Sequence, residues 1–351
     1  MVDYIIVGLG LSGISLCERL EENGLSYKVF EGGSQRASVV AAGLINPVIL
    51  KRFTLAWKAD EQLEIAIPYY RKIEEKLQVR LFYPRKIYRR FNSAEEQNNW
   101  FSAADKPALS KFLNTHLKKR LNPCIDSDFG FGEVRHTGTV NTNLMITEYG
   151  NHLRKQDKIS FENFDHQTLR IEEDYVEYKG LKARKIIFCE GFGLKENPYF
   201  NYLPLNGNKG EYIIIYSEEL QMEEIVKSSV FIIPMGNNLY RIGATYNNVD
   251  ISPEPTESAK EELIRKISAL IKCQFDVIDQ VAGIRPASKD RKPFAGQHPK
   301  YKNLYCCNGF GSRGMLISPM LSEEMLKLME KGEPLPQEVD LARFTKKHYS
   351  V

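Results

Sequence analysis

The glycines of Gly8-Leu9-Gly10-Leu11-Ser12-Gly13 lie between a short apolar run, Tyr4-Ile5-Ile6-Val7, and a helical pattern with Ile14, Cys17 and Leu20 on one side. In that order each glycine has a separate task. Gly8 permits a tight turn, Gly10 lets the backbone approach a pyrophosphate, and Gly13 lets the helix pack closely on the strand. The helix opened by Leu11 and Ser12 then aims free N–H groups and its positive dipole end at two phosphates. Asn23-Gly24 stops it, a normal C-terminal signal. A second strand, Tyr27 to Phe30, leads to Glu31, whose carboxylate can accept hydrogen bonds from both ribose hydroxyls of an adenosine. A glycine-rich turn alone is a weak signal. With a strand before it, a helix after it and an acid about twenty residues on, it predicts dinucleotide binding. Glu31 also argues against a 2′-phosphate, and so against NADP.

After Glu31 the chain leaves the regular strand–helix alternation of a nicotinamide-binding domain. Ala41-Ala42-Gly43-Leu44 forms a small-residue loop, followed by a helix from about Leu55 to Leu77 interrupted at Pro68. Arg85 to Phe91 reads as a strand, Ser93 to Glu96 as a capping box opening a helix, and Leu109 to Leu121 as a second helical stretch. Gly132 to Thr139 predicts one strand, Asn143 to Lys155 a helix, Lys158 to Phe164 a return to the parallel sheet, and Lys185 to Cys189 a strand ending at Glu190-Gly191. The next segments, Glu211 to Tyr216, Val230 to Pro234 and Tyr240 to Thr245, carry antiparallel signals around a Gly236-Asn237-Asn238 turn. A helix over about 256–272, strands at 275–284 and 303–307, and a helix from about Ser312 to Lys331 complete a mixed α/β pattern.

Bulk properties exclude several classes. The 351 residues suffice for a large core, and a net charge of +3 advertises no global affinity for nucleic acid, leaving Arg89-Arg90 and Lys118-Lys119-Arg120 as local clusters. The apolar stretch Val39 to Leu50 is too short to span a bilayer and contains Asn46-Pro47. The N-terminus starts directly into a strand with no basic region before it, and the six cysteines show neither a CxxC pair nor a disulfide framework. A cytoplasmic location is therefore expected. Cys306 and Cys307, adjacent on an expected strand, point to opposite faces as core filler. No histidine spacing suggests a metal site, so none is expected.

Two C-terminal stretches resemble a known family. Gly283-Ile284-Arg285-Pro286 through Pro293-Phe294-Ala295-Gly296 resembles the G-x-R-P-x-T-x-D-x-x-P-x-I-G signature of the D-amino-acid oxidase superfamily, glycine oxidases especially. Asn308 through Pro319 resembles the glycine-rich turn and helix start that follow it there, and Ala41 to Leu44 the family's second flavin loop. The resemblance implies noncovalent FAD, since Ala287 stands near where monomeric sarcosine oxidases carry a flavin-linking cysteine. It implies a Rossmann-like FAD-binding domain from residues 1–80, 131–196 and 283–351, and an antiparallel-sheet substrate domain from 81–130 and 197–282, both discontinuous. Ala42, Gly43, Leu44, Phe164, Gly191, Gly309, Gly311, Ser312, Arg313, Gly314 and Met315 then join Gly8, Gly10, Leu11, Ser12, Gly13 and Glu31 as expected cofactor-binding residues. A helix N-terminus near Ser312 suits the flavin's pyrimidine edge, where its dipole stabilises the negative charge of the reduced ring.

For the substrate, the resemblance points to Arg285 as a guanidinium that holds a carboxylate bidentately. The bland alternative is a structural pair with Asp290. Arg241 matches the place where sarcosine oxidases carry a lysine that assists oxygen reactivity. Phe231 stands where many relatives have an active-site tyrosine; Tyr246 either replaces that hydroxyl or covers the sheet. The leading expectation is FAD-dependent oxidation of an amine C–N bond in glycine, a D-amino acid or an N-substituted glycine, with oxygen or a quinone as acceptor. A second reading follows from Gly311 through Glu324 and Gly332-Glu333-Pro334-Leu335-Pro336, which resemble the oxidoreductase domain of bifunctional tRNA wobble-uridine enzymes. Those remove a glycine-like carboxymethyl group, making tRNA a second-choice partner whose phosphates the basic clusters would meet. The sequence shows no methyltransferase half of the kind such enzymes carry, which ranks this reading second. A flavin-holding scaffold without turnover is the third.

Overall fold

The computed structural model describes residues 1–33 and 37–349. Val2–Val7 lies between Tyr27–Phe30 and Leu181–Phe188 in an eight-stranded sheet, parallel to both, with Ile159–Ser160 outside Tyr27–Phe30. Leu304–Asn308 also runs parallel to Leu181–Phe188, and Phe294–Gln297 pairs antiparallel beside it. Ile5, Ile6, Ile186 and Ile187 are fully buried, which explains the unbroken apolar runs of these strands: both faces are covered. Helices Leu11–Glu22, Ala59–Leu77, Thr142–Lys155 and Gly314–Lys331 contribute to the core on one face. Cys307 belongs to that core and Cys306 to the core on the opposite face, so the adjacent pair does split across the strand.

A seven-stranded, mostly antiparallel sheet has the order Asp276–Ser288, Leu205–Tyr216, Leu239–Gly243, Phe231–Gly236, Ile225–Lys227, Ile87–Arg90, Phe131–Val134. Ile213, Ile215, Ile232 and Ile242 on one face pack with Leu263 and Ile267 of the helix Glu257–Ser268. The other face presents Ile87, Ile225, Phe231 and Ile233 to the main core.

Several elements differ from expectation. The stretch 109–121 is helical only over Pro107–Ser110. Beyond it Lys118 and Phe131 exchange backbone hydrogen bonds of 3.0 and 2.8 Å, so pairing at the sheet edge overrides helix propensity. The strand expected over 132–139 is two: Phe131–Val134 joins the antiparallel sheet, while Gly138–Val140 pairs with Leu44–Ile45 and Phe82–Pro84. The expected boundary at 131 therefore falls inside the antiparallel sheet. The first long helix starts at Ala59, because Thr54–Leu55 pairs with Val48–Ile49, and it runs through Pro68 unbroken. The last begins at Gly314. Ser93 caps Ala94–Ala104 as its sequence predicts, accepting from the Glu96 N–H at 3.1 Å.

Candidate functional site

A cavity of about 940 Å³ lies between the two sheets. Gly8, Gly10, Leu11, Ser12 and Glu31 line it from the parallel sheet, together with Phe164 and Gly191. Ala42, Gly43 and Leu44 line it from the small-residue loop, and Gly311 through Met315 from the start of the last long helix. Phe231, Tyr246 and Arg285 line it from the antiparallel side. Three expected site residues lie outside the lining. A Cβ on Gly13 would meet the Gly8 carbonyl oxygen at 2.0 Å, so Gly13 serves close packing of the turn, as its spacing predicts. Gly309 turns against Phe294.

Arg241 is the third. Its Nη1 donates to the carbonyl oxygens of Val40 (3.3 Å) and Ala41 (2.7 Å), and its guanidinium lies 5.6 Å from the Tyr212 ring centroid. Burial holds its pKa below the usual arginine value. The arrangement makes Arg241 a residue that fastens Val40 and Ala41 of the small-residue loop to the sheet.

The lining suits a dinucleotide with a flavin. Among the described residues, the N-cap positions of both helices opening onto the cavity, Gly10 before Leu11–Glu22 and Arg313 before Gly314–Lys331, make no side-chain cap bond, although Ser38 Oγ accepts from the Leu11 N–H at 3.3 Å, whereas Ser93, Asn141 and Thr256 cap three other helices. Uncapped N–H groups at two helix starts in one cavity fit pyrophosphate at one and flavin acceptor atoms at the other. Glu31 sits at the first helix, accepting from the Leu9 N–H and, at 2.6 Å, the Gly33 N–H. Nearby, His166 Nε2 and Glu190 Oε1 are 2.8 Å apart, and Asn197 donates to the other Glu190 oxygen at 2.7 Å.

At the antiparallel end Arg285 Nη1 donates to Asn208 Oδ1 at 2.7 Å, its guanidinium 6.0 Å from the Tyr246 ring centroid. Gly210 makes room for it: a Cβ there would lie 1.9 Å from Nη2. The bland alternative for Arg285 fails, because Asp290 is paired with Arg343 at 2.8 Å. Tyr246 stands at the rim, 70% exposed. The segment after it is anchored by Lys209, a fully buried side chain whose Nζ reaches Asp250 at 2.6 Å and Ser252 at 3.0 Å.

Sequence reasoning missed Lys227. It lines the cavity, its Nζ 4.6 Å from the Phe231 ring centroid, and burial together with Arg89 and Lys266 lowers its pKa to about 8. No sequence signal marks it: Ile225 and Lys227 share one face of a strand of three residues, too short for alternation to be read. Arg313 also lines the cavity, donates to the Asn46 carbonyl at 3.4 Å, and has its pKa lowered by burial.

The FAD-dependent oxidoreductase family profile, DAO, matches residues 3–328. Among curated proteins, the bifunctional tRNA 5-methylaminomethyl-2-thiouridine biosynthesis protein MnmC of Legionella pneumophila strain Philadelphia 1 is 26% identical over 204 residues, 48% of this chain and 30% of that protein. The glycine oxidase of Bacillus licheniformis is 28% identical over 133 residues, 37% of this chain and 36% of that one. The chain thus spans about a third of the length of the curated relatives it matches. The crystal structure of glycine oxidase from Geobacillus kaustophilus superposes with a TM-score of 0.82 at 18% identity, covering 98% of this chain and 97% of that one, a likeness of fold. No helix among the described residues is long and apolar enough to cross a membrane. With the profile spanning nearly its whole length, the chain belongs to the DAO family of FAD-dependent oxidoreductases.

Proposed function

We propose that the protein oxidises the C–N bond of glycine, a D-amino acid or an N-substituted glycine to an imine that water hydrolyses. FAD supplies the hydride acceptor when bound. The chain's own contribution is orientation. Arg285 would hold the substrate carboxylate in a fork, fixing the amine carbon by position. Phe231 would cover the apolar part of the substrate, and Tyr246 at the rim would close over it. The supporting observation is the state of Arg285: a guanidinium in the lining whose hydrogen-bond partner is a neutral amide, with its candidate acid Asp290 engaged elsewhere. Segments 1–80, 131–196 and 283–351 would carry the cofactor, noncovalently, and 81–130 and 197–282 the substrate. The strand Phe131–Val134 would go with the latter.

The similarity to the bifunctional tRNA protein favours a second reading, removal of a carboxymethyl group from a modified uridine, in which Arg285 would serve the same acid group. Arg89 is a poor phosphate contact for it, being bound to Glu96 and to the Ser228 carbonyl at 2.9 Å. The test is anaerobic bleaching of the FAD-loaded protein by a panel of glycine, D-amino acids, N-methyl and N-carboxymethyl compounds, and carboxymethyl-bearing tRNA. Bleaching by small amines supports the first reading, and bleaching by the tRNA alone supports the second. A flavin that none of them reduces overturns both.

A further inference from the structure

We propose that Lys227 forms a second anion subsite in the cavity, so that the favoured substrate is a secondary amine carrying a carboxylate at each end, one on Arg285 and one on Lys227. This rests on the amine-oxidation reading above. Lys227 pairs with Phe231, Phe231 with Gly243, and Gly243 with Tyr212, a row across four neighbouring strands. Lys227 therefore shares the cavity face with Phe231 and Tyr212, among the apolar neighbours Ile225 and Ile233. A cation on such a face is costly unless an anion or good acceptors meet it.

Nothing among the described residues does so. The adjacent Arg89 is bound by Glu96, and Lys266 by Glu262. The acceptor of Lys227 is the Ser229 carbonyl oxygen at 3.4 Å, beyond the normal range for such a bond. The Phe231 ring offers a weaker cation–π contact. With Arg89 and Lys266 each paired to a carboxylate, it is the Lys227 ammonium that an anion entering the cavity there would meet.

The spacing selects the ligand. The strand carrying Arg285 is four strands from that carrying Lys227, roughly 19 Å across the sheet at the usual strand separation. Arg285 also lies four residues beyond Val281, which is paired with Tyr212 in the Lys227 row, a further displacement of about 13 Å. Even with both long side chains turned inward, one glycine carboxylate cannot meet both. An extended N-(carboxyalkyl) amino acid can, with its nitrogen held between the two cations.

The test uses the FAD-loaded protein and two amines, N-methylglycine and N-(2-carboxyethyl)glycine, with flavin reduction followed anaerobically against concentration. The matching non-oxidisable thioether mono- and diacids are titrated by calorimetry. The wild type is expected to half-saturate with the diacid at about tenfold lower concentration than with the monoacid. K227M is expected to erase that ratio in both measurements, and K227R to restore most of it. Reduction by both amines with no diacid preference overturns the subsite and leaves amine oxidation standing. A diacid preference that persists unchanged in K227M also overturns it. If neither amine reduces the flavin while calorimetry still shows a Lys227-dependent diacid preference, the amine reading fails and the subsite stands. Should both variants fail to fold, a wild type without diacid preference still overturns the subsite, and Lys227→Gln takes their place in both measurements.

Discussion

At the parallel-sheet end of the cavity, Glu31 is met by backbone N–H groups of Leu9 and Gly33, and Glu190 by His166 and Asn197. At the antiparallel end, Arg285 and Lys227 have only neutral partners among the described residues. The first end is held by its own hydrogen bonds before any ligand arrives. The second carries positive charge that a ligand must answer. On the proposed reading, such a site would hold its coenzyme by shape and backbone donors and select its substrate by charge.

The comparison breaks most severely at the coenzyme end. Gly13→Val would drive a side chain into the Gly8 carbonyl, and the purified protein is expected to lose its bound flavin and its yellow colour. At the other end, Arg285→Met is expected to lower amine-driven flavin reduction roughly hundredfold at limiting substrate while leaving flavin content intact, read by anaerobic stopped-flow. Arg241→Met touches the join between the two ends. It leaves the Val40 and Ala41 carbonyls without their donor, a loss of about 1–3 kcal/mol that thermal melts of the FAD-loaded protein would register.

Acidity sharpens the contrast further. Lys227 is charged below its pKa of about 8, so preference for diacids is expected to fade as pH rises through that value. The other charged groups facing it, Arg89 and Lys266, are ion-paired with Glu96 and Glu262. The smallest effect is expected from charge reversal at Lys119 and Arg120, both exposed, which should leave small-amine kinetics unchanged when saturation curves are compared.

The coenzyme end was legible because its parts are close in sequence: Val2 through Glu31 form one strand–turn–helix–strand unit, and each residue type follows from local geometry. The Gly-Ile-Arg-Pro motif likewise marked Arg285. What escaped was decided by distant partners. Arg241 stands by resemblance where sarcosine oxidases carry a lysine, and its guanidinium donates to a carbonyl 200 residues away. The 109–121 segment has helical spacing but is captured by the edge of another strand. Lys227 has no motif around it; only the sheet register shows which face it occupies.

The Gly311 N–H donates to the Pro286 carbonyl at 2.8 Å, and Ala287 bridges to Phe310. The peptide next to Arg285 is thereby stitched to the turn that leads into the helix at Gly314. An anion captured by that guanidinium would therefore pull on a strand tied by a backbone hydrogen bond to the turn that opens the cavity-lining helix. A tint change on adding an inert acid would thus report occupancy before a single bond is broken.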